Sequence, residues 1–207
     1  MGNPSGRNYM QVHVIDPDAA RRAEISRLIL QNGQHVEIYE NTDEFLSWRA
    51  RSGYVLAFEG GEFRPLARLN EAGDSAYATL PVAMYSDEPE VERVIEAMLS
   101  GAVGYLEWPQ SSDSFERALR DITKRAEVRR AKFERIEKAQ SLVRGLSSRE
   151  SEVLASLTNG LSNKEIARNL GISPRTVEIH RANMFSKINA NSTADAVRTG
   201  VYAGLDG

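Results

Sequence analysis

Short apolar runs, punctuated by Gly, Pro and Asx residues, dominate the first half of the sequence. Gln11–Ile15 (QVHVI) ends at Asp16-Pro17-Asp18, and His35–Tyr39 follows a break at Gly33. Tyr54–Phe58 (YVLAF), Pro81–Tyr85 (PVAMY) and Val103–Leu106 (VGYL) complete a set of five. Such runs, bounded by turn formers, predict strands. Helical signals separate them. Ala19–Gln31 predicts a helix closed by Gly33, and Asn41-Thr42-Asp43-Glu44 has capping composition ahead of Phe45-Leu46-Ser47-Trp48. Glu90–Leu99 predicts a helix with Val91, Val94, Ile95 and Met98 inward, stopped by Gly101. Residues 59–79 hold Gly60, Gly61, Pro65 and Gly73 and predict at most a short or irregular helix. Strands alternating with helices predict an α/β fold: a five-stranded parallel, doubly wound sheet with both faces covered.

The pattern then changes period. Ser112 to about Val143 has neither Gly nor Pro and predicts one long helix. Phe115, Leu119, Ile122, Ala126, Arg129, Phe133, Ile136, Gln140 and Val143 are spaced alternately four and three apart, the spacing of a coiled-coil seam. Its first half serves equally as the last helix of the sheet domain. Its second half needs another surface, either the chain's own C-terminal domain or a second copy, with Phe115, Leu119, Ile122, Phe133 and Ile136 as candidate dimerisation residues. Four short helices follow. Ser147 with Glu150 has capping-box spacing, Ser162 or Asn163 opens Lys164–Leu170, Ser173-Pro174 opens a helix to about Ile188, and Ser192-Thr193 opens the last to about Ala203. Leu154, Leu157, Ile166, Ala167, Leu170, Ile172, Val177, Met184, Ile188, Ala194 and Val197 are the expected core of this all-α domain.

Composition excludes several chemistries. The 207 residues contain no cysteine and three histidines far apart, which removes disulfides, thiol catalysis and Cys-based metal sites. No apolar run approaches membrane-spanning length, so a cytoplasmic protein without a membrane is expected. Residues 1–9, rich in Gly, Asn, Pro and Ser, are expected to be disordered. The net charge of −3 hides a division: residues 1–120 carry −8, 121–143 carry +3 and 144–207 carry +2. Local charge sets the field that a phosphate backbone meets. These breaks suggest domains at 10–120 and 144–207 joined by a helical linker at 121–143.

The apolar frame Ile166-Ala167, Leu170-Gly171-Ile172 and Val177 fits a helix, a tight turn and a second helix standing proud enough to enter a major groove. Arg175, Thr176, Glu178, Ile179, Arg181, Ala182 and Lys187 fall on that second helix, with Lys164 and Arg168 on the first. Arg181 suits guanine acceptors, Glu178 suits cytosine N4, and Ile179 or Ala182 suits a thymine methyl. Lys164, Arg168, Thr176 and Lys187 suit phosphates, which position without specifying. Composition alone fits a helical domain with a charged solvent face equally well. The stretches LSSRESEVLASLTNG (146–160), NKEIARNL (163–170) and GISPRTVEIHRANMFSKI (171–188) decide between them, because they closely resemble the LuxR/GerE-type helix-turn-helix. The resemblance implies a DNA-binding transcription factor with 173–188 as recognition helix, a dimerising last helix, and a structural rather than catalytic His180.

VHVIDPD (12–18), LPVAMYSDEPEVERVIEAMLSG (80–101) and AVGYLEWP (102–109) resemble the receiver domain of FixJ-like response regulators. That family uses acidic residues after the first strand to hold a cation, an Asp after the third strand as phosphoacceptor, and a hydroxyl and a Lys after the fourth and fifth. Each serves phosphoryl transfer as nucleophile or charge neutraliser. Here Asp16 stands at one acidic position, Pro17 at its neighbour, and Asp18 follows. Ser86 takes the hydroxyl position and Trp108 that of the Lys. The phosphoacceptor position falls on Phe58 or, one residue on, Glu59. The resemblance therefore implies a degenerate receiver. Glu59 as a built-in mimic of the phosphorylated state and an acceptor elsewhere, such as Asp87, are the alternatives. Tyr105 falls at the family's aromatic switch position with Ser86 as its partner, and 91–99, the fifth strand and 115–122 form the family's usual dimer face. The expected protein is not an enzyme, has no cofactor or metal, and is a homodimeric regulator binding double-stranded DNA, with a kinase or another regulator as a further partner. The competing expectation is an interaction protein that titrates another regulator and binds DNA weakly.

Overall fold

The computed structural model describes residues 11–48, 50, 52–72 and 80–206. The expected disorder of residues 1–9 lies outside them. The chain divides into two compact units, Met1–Arg130 and Ala131–Gly207.

In the N-terminal unit, β1 (Gln11–Ile15), β2 (His35–Tyr39), β3 (Tyr54–Phe58), β4 (Val82–Ser86) and β5 (Gly104–Glu107) form one parallel sheet in the order β2-β1-β3-β4-β5. The last two strands start and end one residue later than the apolar runs predict. The helices are α1 (Ala19–Gln31), α2 (Thr42–Ser47), α3 (Pro65–Glu71), α4 (Val91–Leu99) and the start of α5 (Ser112–Arg144). Asp18 caps α1, accepting from the Arg21 amide at 2.7 Å, and Asn41 caps α2. The pleat divides the core. Val12, Val14, Leu56, Phe58, Tyr85 and Leu106 pack with Ile25 and Ile29 of α1 and Phe115, Leu119 and Ile122 of α5. Ile15, Val55, Ala57 and Met84 pack with Phe45 of α2, Leu66 of α3 and Ala97 of α4.

Two expectations need correction here. On α4 the buried residue is Ala97, while Val91, Ile95, Met98 and Leu99 are exposed, Leu99 to 84%. The helix meets the sheet through a small side chain and turns its larger apolar residues outward. On α5, Phe115, Leu119 and Ile122 are buried in this unit's own core and offer no surface to a second chain. Phe133 and Ile136 are half-buried.

In the C-terminal unit the end of α5 is followed by α6 (Ser148–Thr158), α7 (Asn163–Leu170), α8 (Pro174–Lys187) and α9 (Thr193–Ala203). Ser147 with Glu150 and Ser162 with Glu165 form complete capping boxes. Gly171, at φ 65°, ends α7 in the left-handed region and sets the turn into α8, which opens on Pro174. Val153, Leu154, Leu157, Ile166, Ala167, Val177, Met184, Ile188 and Ala196 are the buried core, and Leu142 and Val143 of α5 pack against it. Ala194, expected in the core, is exposed; Ala196 takes that role, because the helix capped by Ser192 turns positions 196 and 200, four apart, inward. At Gly200 an added Cβ would lie 2.1 Å from Thr158 Oγ1, so α6 and α9 approach closely there.

Candidate functional sites: an exposed helix face and a filled pocket

Helical spacing of about 100° per residue sorts the α8 candidates by direction. Val177, Met184 and Ile188 face the core. On the opposite side Arg175, Glu178, Ile179 and Ala182 form one exposed face, extended by Ser186. The Arg175 side chain is 82% exposed and pairs with Glu178 at 3.2 Å. Thr176 is half-buried, and its amide bonds Ser173 Oγ at 3.0 Å. On α7, Lys164 and Arg168 are exposed.

Two of the expected DNA contacts, Arg181 and Lys187, have partners within the unit. Arg181 donates to Asn163 Oδ1 and to Thr193 Oγ1 (2.9 Å), joining the starts of α7 and α9, with its guanidinium carbon 5.5 Å from the Phe185 ring centroid. Six residues beyond Arg175, it lies about 120° from Arg175 around the helix and beside the Glu178 edge of the exposed face. Lys187 Nζ donates to the buried Glu150 at 2.6 Å. That bond, with the Ser147 amide donating to the same carboxylate, holds Glu150 well below the usual carboxylate range, at about 2. His180 is half-buried.

In the N-terminal unit, β3 ends with Phe58 beside Tyr85 of β4. Arg21, from the first turn of α1, covers the Phe58 ring with its guanidinium carbon 3.5 Å from the centroid. The same guanidinium grips the fully buried Asp16 with two bonds, Nε to Oδ2 at 2.6 Å and Nη2 to Oδ1 at 2.9 Å, and reaches Asp87 at 3.3 Å. The Tyr85 hydroxyl also donates to Asp16, as does the Asp18 amide at 2.8 Å. Burial and the Asp16 charge push the Tyr85 hydroxyl pKa far up, so it remains a donor. Trp108, joined to the next residue, Pro109, by a cis peptide, is buried edge-on between Tyr85 and Phe115. The pocket thus brings Asp16, Phe58 and Trp108 together through Arg21 and Tyr85, two residues that sequence spacing did not single out. Asp18 is occupied as a helix cap, and Pro17 contributes no charge.

Glu59 is buried outside this cluster and accepts from the Tyr105 hydroxyl at 2.9 Å. Burial, then the Glu59 bond, raises the Tyr105 hydroxyl to about 12. Ser86 is buried, and its Oγ accepts from the Glu88 amide at 3.2 Å. Among the described residues no group of three or more His, Asp or Glu could hold a metal ion, and no helix is long and apolar enough to cross a membrane.

Residues 144–199 match the family of bacterial regulatory proteins named for LuxR. The transcriptional regulatory protein FixJ of Bradyrhizobium diazoefficiens is 34% identical over 204 residues, covering 94% of this chain and 96% of that protein. FixJ of Azorhizobium caulinodans is 35% identical over 200 residues, covering 95% and 94%. The solved structure of the response regulator StyR is similar with a TM-score of 0.64 and 26% identity, covering 91% of this chain and 96% of StyR.

Proposed function

The chain belongs to the FixJ/NarL family of response regulators and is a DNA-binding transcriptional regulator, and we propose that it acts without phosphorylation of a receiver aspartate. The observation that carries this reading is the Arg21 guanidinium, clamped by Asp16 and laid over Phe58. A phenyl ring has no nucleophilic oxygen, and its face is covered. The cationic side of the pocket is already satisfied by a side chain, and Trp108 removes the ammonium that would neutralise a phosphoryl group. Incubation with acetyl phosphate and magnesium is expected to leave the intact mass unchanged; gain of a phosphoryl group on any Asp, Asp87 included, refutes the reading.

A second reading of the same unit is favoured by the Tyr105–Glu59 bond. In it, Glu59 holds the switch tyrosine by a permanent carboxylate, so Glu59→Gln alters the protein's activity on DNA while leaving its fold intact.

For DNA recognition, the exposed face of α8 supports Arg175, Glu178, Ile179 and Ala182 as base-reading candidates, with Lys164 and Arg168 for phosphates. The exposed apolar stripe on α4 supports a homodimer formed through that helix. A kinase or second regulator docking on the same stripe is the alternative partner. Genome-wide binding by the full-length protein gives the operator and its half-site spacing, and enrichment no greater than for random sequence overturns the base-reading assignment.

A further inference from the structure

A cleft of about 690 Å³ in the C-terminal unit has no part in the recognition face. It is walled by the end of α5, the turn after α8 and one face of α9. Its floor is apolar, with Ala139 and Ile188 buried there. Its sides are cationic: Arg135 and Lys138, three apart on α5, and Arg198 on α9. Among the described residues neither the Arg135 nor the Lys138 side chain forms an ion pair or hydrogen bond. The lining has one acid, Asp195, which is already engaged. Its Oδ1 accepts from Arg198 at 2.7 Å and its Oδ2 from the Asn191 amide at 3.3 Å.

Arg135 and Lys138, without an acidic partner, and Arg198, shared with Asp195, line one concave surface with a net positive balance, and such a cleft attracts an anion because its low-dielectric walls focus the field. Guanidinium groups match phosphate oxygens in pairs, and an ammonium adds a point charge. The volume falls in the range of small-molecule sites, whose apolar floors take the uncharged part of a ligand. Ile188, in the floor, belongs to the core-facing side of α8, opposite Arg175, Ile179 and Ala182. The cleft therefore lies behind the recognition helix. We propose that it binds a phosphorylated small molecule of nucleotide size, its phosphates on Arg135, Lys138 and Arg198 and its aromatic part against Tyr202 and the floor.

Calorimetry on the full chain tests this with ADP as probe and with adenosine and inorganic phosphate as separate arms. ADP is expected to bind, each fragment at least tenfold more weakly. Arg135→Ala with Lys138→Ala is expected to weaken ADP at least tenfold without changing the melting temperature, both side chains being exposed. Lys132→Ala, exposed on the same helix outside the cleft, is expected to change nothing. Absence of ADP heat, or ADP affinity unchanged in the double variant, overturns the proposal. Inorganic phosphate binding as tightly as ADP marks an adventitious ion only. Equal loss of affinity for sonicated DNA in the double variant, with no ADP binding, reassigns the cations to the DNA backbone.

Discussion

The guanidinium of Arg181 is committed within its own unit, to Asn163 and Thr193. Arg181→Ala is therefore expected to lower stability as well as DNA affinity. Hydrogen bonds to charged groups contribute about 1.5–3 kcal/mol; partial exposure brings this to roughly 1 kcal/mol, a melting shift of about 4–8 °C in a domain this small. Arg175→Ala, at a solvent-facing position, is expected to leave melting unchanged and to cost about 1–3 kcal/mol of specific DNA binding. Paired melting and mobility-shift measurements separate the two. Glu150 gives a pH signature. Its carboxyl titrates near 2 when folded, held there first by Lys187, against about 4.3 unfolded. The folded value is the lower one, so the Glu150–Lys187 pair stabilises the fold fully above about pH 5, and that contribution fades as pH falls toward 2. The melting difference between the native chain and Lys187→Met is expected to shrink over that window; a difference independent of pH refutes the assignment.

Strands and helices were largely legible because burial enforces their periods. The five apolar runs became β1 to β5, and the Gly-free stretch became α5. Orientation was less legible. On α4, two apolar directions compete, and only the sheet decides that Ala97 enters while Leu99 does not. On α8, the list of polar residues mixed three directions, and the partners of Arg181 and Lys187 lie on other helices, beyond the reach of local spacing. The filled pocket was half legible. Phe58 or Glu59 at the position where the resemblance expects a phosphoacceptor is legible in the sequence, but the contacts of Arg21 and Tyr85 with Asp16 depend on side chains meeting from α1 and β4. Orientation also governs two further outcomes. Leu99→Glu with Ile95→Glu is expected to abolish self-association in sedimentation while retaining the helical signal, since both residues face solvent; a native chain that is already monomeric at micromolar concentration refutes dimerisation through α4. Phe115→Ala, which empties a fully buried position, is expected to cost about 3–5 kcal/mol in denaturant unfolding.

Charge is apportioned between the two units rather than blended. Residues 1–120 hold −8, while the linker and the DNA-reading helices hold the positive balance. An acidic module on the same chain opposes the approach of a polyanion. Isolated Ala131–Gly207 is therefore expected to bind DNA more tightly than the full chain at low salt. The gap is expected to narrow as salt rises, read from binding isotherms at several ionic strengths; the opposite order shows that the N-terminal unit supplies affinity, as a dimerising module does.

Gly200 sets a different kind of limit. Mid-helix glycine costs about 0.5–1 kcal/mol relative to alanine, so a catalogue of substitutions scored by helix propensity would rank alanine there as an improvement. The Thr158 side chain, 2.1 Å from where that methyl would sit, reverses the sign. In a genetic screen for loss of regulation, position 200 should yield heat-sensitive alleles: growth-permissive when cool, silent when warm, with the operator-reading surface untouched.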